Sequence, residues 1–197
     1  MRQVSGPRAG RHARVHGRSN RKGSVDGQVL FVRESYVDTS AFYDRIHRLE
    51  FPIIDARSIK AVLDHLLHDN SINVVVSALH QKGQGGIHLL AKARHLGVRL
   101  PFLFLPSTGQ GELVNQAAKY RFVQFLGQGL TDTEFHDIVK VTYDVGGLVR
   151  GLDQGLKGIC AASHFPAEKS RELLRLQNQF FEGVFENLLH PVKRKAA

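Results

Sequence analysis

The stretch "VVVSALHQKGQGG", residues 74–86, decides how the chain folds. Three consecutive valines leave no polar alternate position, so a strand here has to be covered on both faces. It runs into a loop carrying Gly83, Gly85 and Gly86, as a buried parallel strand runs into a site at its carboxyl end. Chemistry at such a tip needs a carboxylate, a thiol or an imidazole. This tip offers Ser77 and Ala78.

Outward from this strand, read as "INVVVSA" (72–78), strand-like and helix-like segments alternate. Before it lie "VLFV" (29–32), a helix expected over 37–49, "FPIIDA" (51–56) and "SIKAVLDHLLHD" (58–69). In the last of these, Ile59, Val62, Leu63, Leu66 and Leu67 fall at helical spacing behind Ser58 as N-cap. After it come a helix over roughly 86–96 closed by "GV", "PFLFLPS" (101–107), "GELVNQAAKYR" (111–121), "FVQFL" (122–126), and a fifth helix capped by Thr131 or Asp132. Continuous apolar strands alternating with amphipathic helices predict an α/β fold, a five-stranded doubly wound parallel sheet. Residues 151–166, rich in small side chains, read as a connector. Residues 167–190 read as an amphipathic helix with Leu173, Leu174, Phe180, Phe181, Val184, Phe185, Leu188 and Leu189 on its stripe. Such a stripe has to pack on its own domain, on a second copy as a homodimer, or on another protein.

The net charge of +9 belongs to the ends of the chain. Residues 1–25 carry seven cations and no acid, which leaves 20 basic against 18 acidic residues in the rest. Removing Lys193, Arg194 and Lys195 as well brings the body to −1. Residues 1–26 lack the apolar side chains to offset their ordering entropy and are expected to be disordered. Two readings stay open for them, a solvated tail or weak contact with nucleic acid or another anionic surface. Residues 191–197 form a second basic tail. No apolar run reaches the ~20 residues that span a bilayer. The single Cys160 excludes an intramolecular disulfide and suits a reducing compartment, so the expected location is cytoplasmic.

On these residues, positions 28 to about 148 resemble a receiver domain of the two-component response-regulator family. "VVVSALHQKGQGGIHLLAKAR" is similar to the family's third strand, loop and third helix, with Gly86 at the loop glycine. "LPFLFLPS" and "FVQFLGQG" are similar to its fourth and fifth strands. The resemblance implies a flavodoxin-like order and a phosphorylation site at the carboxyl edge. Its working groups are replaced. Two Mg²⁺-binding acids correspond to Arg33 and Glu34, and a cation there repels the metal. The nucleophilic aspartate corresponds to Ala78, the hydroxyl residue ending the fourth strand to Pro106, and the phosphate-pairing lysine to Gln128.

The resemblance therefore implies a degenerate pseudo-receiver, not an enzyme, with no metal and no cofactor. It is expected to act in two-component or phosphorelay-type signalling through protein partners. The partner face it implies includes Lys119, Tyr120, Phe122, Gln124, Lys140 and Tyr143, with Phe125 at the position of an aromatic switch. Two alternatives are a regulator phosphorylated at an unconventional site such as Ser77, and a nucleic-acid binder using its basic tail. The eleven histidines show no ligand set at metal spacing, and "QKGQGG" matches neither phosphate-loop fingerprint.

Overall fold

A computed structural model describes residues 27–33, 40–49, 51–79, 85–162 and 166–193. Five strands, β1 (Gln28–Val32), β2 (Ile53–Ala56), β3 (Ile72–Ala78), β4 (Phe102–Leu105) and β5 (Val123–Phe125), form one sheet. All neighbours are parallel, in the order β2-β1-β3-β4-β5. β3 lies at the centre and all seven of its residues are buried, as its unbroken apolar run demands.

The right-handed crossovers such a sheet favours put helices on both faces. α2 (Ile59–His68), α3 (Gly86–His95) and α4 (Gly111–Ala117) cover one face, where Val62, Leu89, Leu90 and Ala117 meet Leu30, Val75 and Phe104. On the other, α1 (Ser40–His47) and α5 (Asp132–Ala162) bring Ile46, Phe135, Ile138 and Val139 against Phe31, Val74, Val76 and Leu103. This is the doubly wound, flavodoxin-like architecture expected from the sequence.

Local signals set the element ends. The Ser58 hydroxyl accepts from the Ala61 N–H at 3.1 Å. α3 ends in a Schellman turn, with Gly97 at φ +79° and the Val98 N–H on the Ala93 carbonyl at 2.9 Å. Thr131 caps α5, and Glu134 reaches back to the Thr131 N–H, a capping box. α1 begins at Ser40; residues 37–39 of the helix expected there lie outside the described residues, as do the N-terminal segment 1–26 and residues 194–197 of the C-terminal tail.

The connector expected over 151–166 is largely helix. α5 runs unbroken for 31 residues, ~46 Å, to Ala162. Gly151, Gly155 and Gly158 each cost a helix ~1 kcal/mol relative to Ala, which is why the segment reads as irregular. Packing overrides that propensity. α6 (Ala167–Lys193) returns antiparallel to α5, with Phe181 set against Val145, Val149 and Phe122. Gln177 and Asp153 both meet Arg99, at 3.2 and 3.8 Å. The C-terminal helix thus docks on its own domain through Phe181, while Leu173 and Leu174 are half-buried and Phe180 is exposed. The side chains of Val184, Phe185, Leu188 and Leu189 lie outside the described residues.

α5 also approaches the sheet too closely for a side chain at one point. A Cβ on Gly146 would sit 1.8 Å from the Asn73 carbonyl oxygen, so only glycine lets the helix lie on β3 there. The adjacent Tyr143 hydroxyl donates to the Gly27 carbonyl at 2.7 Å and ties the start of β1 to α5.

Candidate functional site at the carboxyl edge of the sheet

β1, β3 and β4 deliver Arg33, Ala78 and Pro106 to the carboxyl edge, and the loop after β5 delivers Gln128. Glu34 lies outside the described residues. Arg33 is turned toward α1. Its guanidinium carbon lies 4.4 Å from the centre of the Tyr43 ring, and the Tyr43 hydroxyl donates to Asp55 Oδ2 at 2.9 Å. Burial, then the hydrogen bond to Asp55 and its charge, push the Tyr43 hydroxyl above the usual tyrosine range. The carboxylate linked through Tyr43 to Arg33 is thus already engaged.

At the tip of β3 the side chain is a methyl group, and Ala78 is only 3% exposed. Ser77 beside it is fully buried, and its hydroxyl donates to the Ala78 carbonyl at 3.0 Å. The start of α3 closes over both. A Cβ on Gly86 would lie 2.3 Å from the Ala78 carbonyl oxygen and 3.2 Å from the Ser77 hydroxyl. Gly86 is therefore required by contact with the strand tip even though the tip has no reactive group.

Pro106 is half-exposed and lacks an N–H; Ser107 and Thr108 beyond it are exposed. The Gln110 side chain accepts from the Ser107 N–H at 3.0 Å, and Gly109 takes φ +82°, so this segment is a turn leading into α4. Gln128 is exposed. Its loop is pinned from below by Arg45, a residue the sequence did not single out. Arg45 donates to the Leu130 and Thr131 carbonyls at 3.1 and 3.0 Å, pairs with Asp132 at 2.9 Å, and lies 4.1 Å from the centre of the Phe135 ring. Residues this far apart in the chain leave no local signal of the pairing.

The expected partner face divides. Lys119 is exposed, Tyr120 and Phe125 are half-buried, and Lys140 is exposed and paired with Asp144 at 2.6 Å. Phe122, Gln124 and Tyr143 are buried and form no surface. Phe122 sits beneath Phe181 of α6 in the left-handed region at φ 58°, with ring centres 6.4 Å apart. Gln124 is paired in register with Leu103 and so shares its buried face of the sheet. Tyr143 stacks on Phe51 at 4.4 Å on the α1 side.

Two further polar clusters lie away from this edge. Arg94, half-buried on α3 beside β4, donates to the carbonyls of Val98, Leu100 and Arg121 at 2.7, 3.0 and 3.0 Å. Burial lowers its pKa to about 10, so it remains a cation at neutral pH and acts as a brace. At the amino edge, a cleft of about 150 Å³ opens between the ends of α2 and α3 and the flank of α5, with Asp69, Arg99, Arg150, Asp153 and Lys157 around an apolar floor. Among the described residues no three His, Cys, Asp or Glu side chains converge as metal ligands, and no helix is long and apolar enough to cross a membrane.

The fold and its edge can be set beside known proteins. No family model matches the chain, and the search of curated proteins finds no match. Solved structures do match. An adenylate cyclase from Rhodopirellula baltica aligns at TM-score 0.55 and 18% identity over 67% of this chain and 98% of that one. The signal receiver domain of an HD domain-containing protein from Pseudomonas fluorescens Pf-5 aligns at 0.52 and 18%, over 61% and 96%. A response regulator receiver domain protein from Clostridium thermocellum aligns at 0.51 and 13%, over 64% and 98%. At these identities the likeness is one of architecture: the chain has the receiver fold.

Proposed function

We propose that this chain is a non-catalytic, receiver-fold module of two-component-type signal transduction, acting through protein contacts without phosphotransfer at the receiver position. The observation that carries the reading is the strand tip. Ala78 offers a methyl group where an acyl-phosphate needs a carboxylate, and Arg33, turned onto Tyr43, supplies no oxygen ligand where Mg²⁺ needs one. The likeness to receiver domains supports the signalling role. Burial of Ser77 under the start of α3 weighs against its use as a substitute acceptor. A single cysteine fits the reducing cytoplasm.

Incubation of the full chain with acetyl phosphate and Mg²⁺, read by intact mass, tests this. The expected result is no added phosphoryl group. A stable phosphoryl adduct, lost on substituting Ser77 or Glu34, contradicts the reading.

A further inference from the structure

We propose that the outer face of the α5–α6 hairpin is a weak homodimer interface, a second copy of this chain being its occupant. The proposal names a partner for the contact-based function above and rests on that reading only for its biological meaning.

Among the described residues of this hairpin, five large apolar side chains stand out in solvent: Leu148 at 57%, Leu152 at 43%, Ile159 at 51%, Leu176 at 49% and Phe180 at 60% exposure. Each immediately precedes an inward-facing residue, namely Val149, Asp153, Cys160, Gln177 and Phe181, all buried or half-buried. One residue is 100° of helix. In an antiparallel pair, the position just before each contact residue falls on the same side of both helices. The five therefore share one face, directed away from the sheet, with Leu148 and Leu152 level with Phe180 and Leu176. Scattered exposed leucines need no explanation, but a contiguous set on two adjacent helices does.

The N-terminal segment has only Met1, Val4, Val15 and Val25 as large apolar side chains among 26 residues. The first described residue after it, Gly27, is held by the Tyr143 hydroxyl at the start of β1.

Charge and shape favour a second copy. A two-fold axis sets like groups near one another, so a self-associating face has to avoid net charge. Between Val145 and Ala162, α5 turns no ionisable side chain toward this face. Among its described side chains, α6 turns one of each sign, Lys169 and Glu172. Beside the Leu148–Leu152 ridge, Gly151 and Gly155 leave open space, with no atom within 4 Å of an added Cβ. Ridge and hollow on one surface are self-complementary under a two-fold, and two such hairpins form a four-helix bundle. From Leu148 to Ile159 the face is ~17 Å long and two helices, ~20 Å, wide, or ~350 Å² per copy. That is well below the usual ~800 Å² of a stable interface, so the association is a weak one.

Sedimentation equilibrium of the full chain over a concentration series tests the proposal. The average mass is expected to climb from 22.0 kDa toward twice that value. Leu152→Asp and Phe180→Asp, each checked for an unchanged circular dichroism spectrum, are expected to weaken association tenfold or more. Leu67→Gln, at an equally open site on α2, is expected to leave it unchanged. A chain that stays monomeric throughout, or an association indifferent to both hairpin variants, overturns the proposal. Neither result touches the phosphotransfer reading, which is decided by mass gain alone.

Discussion

The two halves of α5 show how differently this molecule is held together. Over residues 132–149 the helix lies in the core, with Phe135, Ile138, Val139 and Val149 buried and Gly146 pressed against β3. Beyond Val149 it leaves the sheet and is held by α6 and a few polar ties. These are Arg99 to Asp153 and Gln177, and Gln154 to the Asn70 carbonyl at 3.5 Å. Partly exposed pairs of this kind contribute at most ~1 kcal/mol each. The body therefore carries its own stability, while among the described residues the hairpin hangs from one small apolar cluster and leaves an apolar face open.

The same substitution at two glycines of this one helix should break the molecule at one site and strengthen it at the other. Gly146→Ala forces a Cβ onto the Asn73 carbonyl and is expected to cost about 3 kcal/mol, read as a lower urea midpoint. An unchanged midpoint means that α5 does not lie this close to β3. Next in size is Phe181→Ala, which empties the cluster with Phe122, Val145 and Val149. It should weaken α6 docking by about 2–4 kcal/mol. Amide exchange of α6 should then quicken while that of β3 stays slow; uniform quickening would show the hairpin and body to be one cooperative unit. Smaller and opposite in sign is Gly158→Ala. With open space around it, it should stabilise by up to ~1 kcal/mol, and a loss there would mean that the site is occupied.

The same contrast explains what could be read from the sequence. β3, the caps at Ser58 and Thr131 and the turn at Gly97 are local patterns, and the structure reproduces them. The projecting half of α5 reads as a connector because its glycines oppose a helix and the packing that rescues it comes from α6. Tyr143 was legible as core, since it continues the spacing of Phe135 and Val139, but its hydroxyl and the family's surface suggested otherwise. Gln124 is a polar letter in a strand covered on both sides, and only the register opposite Leu103 shows where it points. At the carboxyl edge, the identities of Arg33, Ala78, Pro106 and Gln128 can be read from the sequence. The diversion of Arg33 onto Tyr43, and the anchoring of the β5–α5 loop by Arg45, needed coordinates.

If the carboxyl edge has lost its supporting groups as well as its nucleophile, restoring the nucleophile alone cannot restore phosphotransfer. Ala78→Asp buries a carboxylate at a closed strand tip with Arg33 stacked on Tyr43, Pro106 lacking a hydroxyl and Gln128 lacking a charge. Its melting temperature should fall or barely move. The decisive measurement is the intact mass of Ala78→Asp after incubation with acetyl phosphate and Mg²⁺. An unmodified mass is expected, and a stoichiometric phosphoryl adduct on the single variant would contradict the account of the other three positions.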